Sequence, residues 1–203
     1  MTEVASQPSA PRRPIAARLA ARLARVTPAR RTWLRWLHLV MIPLTFWFMI
    51  ATPDFVRRTL GPKGAAINSD LALIFVCLAL AWTVHYFLHG LAGRPGPKLS
   101  PRLKRFHRVL HHTILTMLFL VPVTGFLLGL TASRLLKAGG WFPIAPPLHM
   151  ERANEIIGIF HKVEFYALGG VIAVHAGFHV WRHVRLKDNA LRIMAPKLLH
   201  RWL

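Results

Sequence analysis

The chain has 203 residues, of which 54% are hydrophobic, a net charge of +20 and one cysteine. A lone cysteine excludes an intrachain disulfide framework and thiolate metal sites, so Cys77 reads as a small apolar filler in a helix. Apolar residues gathered into long blocks with Lys and Arg beside them mark a membrane protein; the cations suit anionic lipid, and no aromatic-basic platform outside the blocks supports nucleic-acid binding.

In chain order, residues 1–30 form a basic tail. Its first 14 residues, rich in Pro, Ser and Ala, have nothing to bury and are expected to be disordered, and no continuous apolar run marks a cleavable signal peptide. Ile15, Leu19, Leu23 and Val26, interleaved with Arg18, Arg22 and Arg25, suit a helix lying on the cytoplasmic surface or a solvated basic tail. Residues 31–197 then hold four apolar blocks, about Trp33 to Ala51, Leu71 to Leu91, His111 to Leu130 and Phe160 to Trp181. Each is long enough, at about 1.5 Å per residue, to cross a hydrocarbon core of about 30 Å. Pro43 and Pro122 fall inside blocks, where a membrane bundle tolerates them as kinks. The loop over 132–159 is the longest, and its Trp141-Phe-Pro run places rings at the outer interface; Met150 to Ile157 suits a short interfacial helix or a plain connector. Residues 198–203 are a short basic tail.

Arg12, Arg13, Arg18, Arg22, Arg25, Arg30 and Arg31 precede the first block, Arg94, Lys98, Arg102, Lys104, Arg105 and Arg108 lie between the second and third, and Arg182, Arg185, Lys187, Arg192, Lys197 and Arg201 follow the fourth. The other two loops are nearly balanced in charge. The expected fold is therefore an all-α membrane protein, a four-transmembrane-helix bundle in a bacterial inner membrane with both termini cytoplasmic.

Twelve histidines in so apolar a chain need a reason, because an imidazole in a bilayer is costly unless paired, hydrated or bound. His161 and His175 are 14 residues apart on the fourth block, close to four turns and about 21 Å of rise, so they share a face near opposite membrane surfaces. His179 and His183 continue that face inward, in reach of haem propionates, lipid phosphates or interfacial water. His38 lies near the inner end of the first block, at the depth of His175, and two neutral imidazoles facing across a bundle are what a low-spin haem b takes as ligands. Each ring taken alone reads equally as a packed core histidine. His85, His89, His107, His111 and His112 also gather at the inner surface, where hydration is the default and a second ligand set, a quinone-head site or a proton relay are alternatives; His149 and His161 lie on the outer side.

The ending His175-Ala-Gly-Phe-His179-Val-Trp-Arg-His183, followed by Lys187-Asp188-Asn189, together with His111, Pro122-Val-Thr-Gly125 and the Trp141-Phe-Pro loop leading to His161, resembles the bacterial cytochrome b561 family over about residues 33–197. The resemblance implies four helices that hold two b haems and exchange electrons with quinone, and in some members oxidise superoxide at the outer face. It assigns His38 and His175 to the inner haem iron and His161 to the outer one, with His111, His179, His183 and Lys187 around propionates or a quinone head. The sequence departs from the family in Ile67-Asn68-Ser69-Asp70-Leu71, where Leu71 stands at the second-helix ligand position, Phe75 where the family carries glycine, and His85 where it carries arginine. Leucine cannot ligate iron and a phenyl ring fills porphyrin space, so one inner haem b is expected and the second lacks a ligand.

The expected function is a membrane electron-transfer cytochrome b that exchanges electrons with quinone through bis-His haem b, with lipid and a redox protein as further partners. Two alternatives stand beside it. One is a superoxide:quinone oxidoreductase using Arg134, Lys137 and Arg152 to attract the anion; the other is a haem-free membrane anchor or assembly factor whose histidines serve packing or metal sensing.

Overall fold

The computed structural model describes residues 30–91, 96–195 and 200–201 and is 80% helical. The expected amphipathic segment at 15–27 and most of the basic tail at 198–203 lie outside these residues. The elements run α1 (Arg30–Ile50), α2 (Pro53–Leu60), a 3-10 turn (Gly61–Lys63), α3 (Gly64–His89), α4 (Pro101–Thr131), β1 (Leu136–Ala138), β2 (Phe142–Ala145), α5 (Glu151–Trp181), a π-helical turn (Arg182–Leu186) and α6 (Ala190–Met194). Among the described residues, four helical stretches are long and apolar enough to cross a membrane: Thr32–Ile50, Asp54–His89, Pro101–Thr131 and Glu151–Leu186.

Local chemistry sets several of these boundaries. Ser100 caps α4, its hydroxyl accepting from the Leu103 amide at 3.4 Å, and Pro101 follows at the first turn, where its missing N–H costs nothing. Thr52 and Pro53 start α2 in the same way. Helix continues through Pro43 and Pro122, and near Pro43 the Thr45 hydroxyl donates to the Met41 carbonyl one turn back at 2.7 Å.

Each spanning helix packs on its sequence neighbour, and α5 closes the ring on α1; the α4–α5 seam is the most extensive and the α5–α1 seam the thinnest. At one end His38 meets Trp82, Tyr86 meets His112 and His111 meets His175. At the other, Trp47 Nε1 donates to Asn68 Oδ1 at 2.8 Å and Asn154 Nδ2 to the Leu128 carbonyl at 2.6 Å. Successive spans are therefore antiparallel, with a histidine end and a hairpin end. Met41, Leu44, Phe75, Ala79, Leu115, Leu118, Val121 and Leu168 form the central core. Phe46, Phe87, Leu88, Phe160 and Val163 point outward and are exposed. At about 25 cal/mol per Å2, so broad an apolar girdle is unfavourable in water and suits hydrocarbon.

Three features differ from the sequence expectation. Met150 to Ile157 is no separate interfacial helix; apart from its first residue it belongs to the opening turns of α5, because the single Gly158 does not break the helix. The Trp141-Phe-Pro region belongs to an antiparallel hairpin pairing Ala138 with Phe142 and Lys137 with Pro143. Its turn uses Gly139 and Gly140 at φ 58° and 72°, a region open to glycine, and rests against Asp70 and Ala66 of α3. Finally, α4 begins ten residues before His111, at Pro101.

The histidine end is closed by a buried ion pair. Arg182 donates through Nε and Nη2 to Asp188 Oδ2 at 2.8 and 2.6 Å, Oδ1 accepts from the Ala190 amide at 3.1 Å, and the two side chains are 2% and 1% exposed. Gly96 lies so close that a Cβ there would stand 2.6 Å from Asp188 Oδ2. Lys98 Nζ donates to the Leu186 and Lys187 carbonyls at 2.9 and 3.2 Å, satisfying the helix C-terminus. Replacing Asp188→Ala strands a buried guanidinium and is expected to cost about 3–5 kcal/mol. Thermal unfolding in detergent should show a much larger loss for that variant than for Lys98→Ala, whose partner atoms are solvated carbonyls.

Candidate functional site

Two pairs of histidines, each spaced i,i+4 and so stacked on one helix face, meet across the α4–α5 seam: His107 with His111, and His175 with His179. Ring centroids are 4.2 Å apart in the first pair and 4.5 Å in the second. Across the seam, His111 lies 4.6 Å from His175 and 5.9 Å from His179, and His107 lies 5.6 Å from His179. From α1, His38 stands edge-on to Trp82 of α3 at 4.7 Å. Three of the spans, α1, α4 and α5, thus bring His38, His111, His175 and His179 to one end, as the helical rise predicts.

Tautomers follow from the hydrogen bonds. A carbonyl only accepts, so the 2.7 Å contacts from His38 Nδ1 to the Leu34 carbonyl and from His111 Nδ1 to the His107 carbonyl place the proton on Nδ1 and leave Nε2 with its lone pair. His175 Nδ1 and His179 Nε2 are buried with no hydrogen-bond partner among the described residues. Buried polar atoms are ordinarily paired, so these two imidazole nitrogens are candidate ligand atoms. Ligand nitrogens of His107, His111 and His179 also lie within 4.8 Å of one another, close enough to share one metal ion.

The remaining histidines have other surroundings. His112 bonds the Tyr86 hydroxyl, and His85 stacks on His89 at 4.5 Å. His183 sits on the π-helical turn, whose wider winding does not carry the four-residue register of His175 and His179 forward unchanged. Lys187 is an exposed residue with left-handed φ 48° whose carbonyl accepts from Lys98.

His161 lies at the hairpin end, 14 residues before His175 on α5, in different company. Its Nδ1 is 2.9 Å from Thr124 Oγ1, and that hydroxyl is 2.7 Å from Glu164 Oε2. Gly125 makes room for the ring, since a Cβ there would come within 3.1 Å of His161 Cε1. Leu71 packs half-buried on the core, and Phe75, 3% exposed, contacts Phe48 and Phe165 at 5.7 and 6.2 Å.

Sequence reasoning left His107 among hydrated interfacial rings, whereas it is buried at 4% exposure between His111, His179 and Phe178. The His107-x3-His111 spacing, mirrored by His175-x3-His179, is the signal that finds it. Thr124, Glu164 and the Arg182–Asp188 pair were also missed. No family model matches this chain, and no curated protein matches it either.

Proposed function

We propose that His38 and His175 hold one haem b at the histidine end and that the protein carries electrons between membrane quinone and a redox partner. The observation that supports this most is the state of the two rings: His38 has Nδ1 tied to Leu34 and Nε2 with its lone pair, and His175 Nδ1 is buried with no hydrogen-bond partner among the described residues. When bound, haem b supplies reversible one-electron transfer. The chain supplies everything else. Helices α1 and α5 set the ligands at one depth, the Trp82 ring fixes the His38 plane, and the apolar core beneath keeps the dielectric low. His111 and His179 line the same space and are the groups available to propionates. The resemblance of the α5 ending to the cytochrome b561 family points to the same pair. The cation-rich flanks make the histidine end cytoplasmic in an inner membrane.

A second reading has its own observation. His107, His111 and His179 converge as three imidazoles, a donor set that suits zinc or copper. That ion would give the haem-free alternative a metal-sensing role.

The two readings separate cleanly on purified protein. The haem reading expects a pyridine haemochrome of about one haem per chain, loss of the reduced-minus-oxidised spectrum in His38→Ala and His175→Ala, and its retention in His112→Ala; a His175→Ala protein that keeps full absorbance sinks it. The metal reading expects about one zinc or copper per chain by elemental analysis, reduced to background by His107→Ala with His179→Ala.

A further inference from the structure

The two donor sets at the histidine end share no residue: His38 and His175 form one, and His107, His111 and His179 the other. Filling one takes no ligand from the other. His107 and His111 stand i,i+4 on α4, the spacing by which a helix presents two imidazoles to one metal ion, and α5 brings the third ring across the seam. The ligand nitrogens lie within 4.8 Å of one another. Donors of a tetrahedral ion with bonds of about 2.0–2.1 Å stand about 3.3 Å apart, a difference within the reach of side-chain rotation.

The chemistry of the rings suits a cation. His111 Nδ1 donates to the His107 carbonyl at 2.7 Å, which leaves Nε2 with its lone pair, and His179 Nε2 is buried with no hydrogen-bond partner among the described residues. Arg182, one turn past His179, does not oppose a second positive charge, because Asp188 neutralises it at 2.6 Å. Neutral imidazoles bring no charge, so a bound dication keeps its full +2 in a setting of low dielectric, where charges act strongly on one another. Two of its ligands flank the proposed iron ligand: the ring centroids of His111 and His179 lie 4.6 and 4.5 Å from that of His175. When iron at His175 takes up one electron and passes from Fe(III) to Fe(II), the site gains one negative charge, and a neighbouring dication favours that form.

We propose that His107, His111 and His179 form a regulatory site for a divalent ion such as zinc, and that the ion sets the redox poise of the adjacent His38–His175 site. The coupling is reciprocal: the ion favours the reduced chain, and the reduced chain binds the ion more tightly by the same factor. The inference rests on both readings of the histidine end and joins them, the metal acting on the electron carrier instead of replacing it. His107 is not a proposed iron ligand, so its loss removes the metal and spares the haem.

The test is equilibrium binding of Zn2+, in competition with a chromophoric chelator, to the full haem-loaded chain in lipid nanodiscs, oxidised and electrochemically reduced. Haem per chain and the unfolding temperature are recorded on the same samples. Wild type is expected to bind about one zinc per chain, and to bind it about five- to 150-fold more tightly when reduced. His107→Ala is expected to weaken zinc binding at least about tenfold with haem content unchanged. His107→Phe, which fills the ring volume without a ligand nitrogen, is expected to do the same at an unchanged unfolding temperature. Absent zinc binding by wild type overturns the proposal, as does binding that neither variant weakens, and equal affinity in the two redox states overturns the coupling. A chain that binds zinc through these residues but holds no haem overturns the coupling by way of the haem reading, whereas haem without zinc overturns it by way of the metal site. The haem count and the zinc count tell these two failures apart.

Discussion

A polar nitrogen carried into hydrocarbon must find a partner inside the protein, and this constraint organises the molecule. The backbone meets it with four long helices. Imidazoles meet it in two ways, and the contrast between them distinguishes the two ends. Some rings spend one nitrogen on a carbonyl of their own helix, as His38 does with Leu34 and His111 with His107. That local bond orients the ring and leaves the second nitrogen with its lone pair. Among the described residues, no side chain or carbonyl hydrogen-bonds to the buried His175 Nδ1 or His179 Nε2.

The opposite end satisfies its histidine internally. His161, Thr124 and Glu164 form a hydrogen-bonded series across two helices, and glycine at 125 leaves the space the ring occupies. The same scaffold thus gathers unbonded imidazole nitrogens at one end and a hydrogen-bonded histidine at the other, a contrast that follows from which residue faces which, with no change in the helices themselves.

Much of the bundle is legible in the sequence because span length, proline tolerance and helical rise are local properties. They place His38 and His175 at one end and His161 at the other before any packing is known. What is not legible depends on rotation and on turns. The partnership of His161 with Thr124 and Glu164 requires the relative phase of α4 and α5, which hydropathy does not encode. The hairpin rests on strands of three and four residues, too short to carry an alternating pattern, and on a Gly139-Gly140 turn whose role emerges once it docks on α3. Arg182 reads as one more flanking cation, yet six residues later Asp188 neutralises it out of water.

The uneven seams of the ring bear on assembly. Helices α3, α4 and α5 are joined by the broader contacts, whereas α1 leans on α3 and touches α5 along a narrow strip. A three-helix cradle carrying His111, His175 and His179 is therefore the more extensively packed part, and α1, with His38, the less. On the proposed reading, a planar guest held between His38 and His175 would bridge the thinnest seam of the bundle, and its binding would add contacts where the chain itself makes fewest.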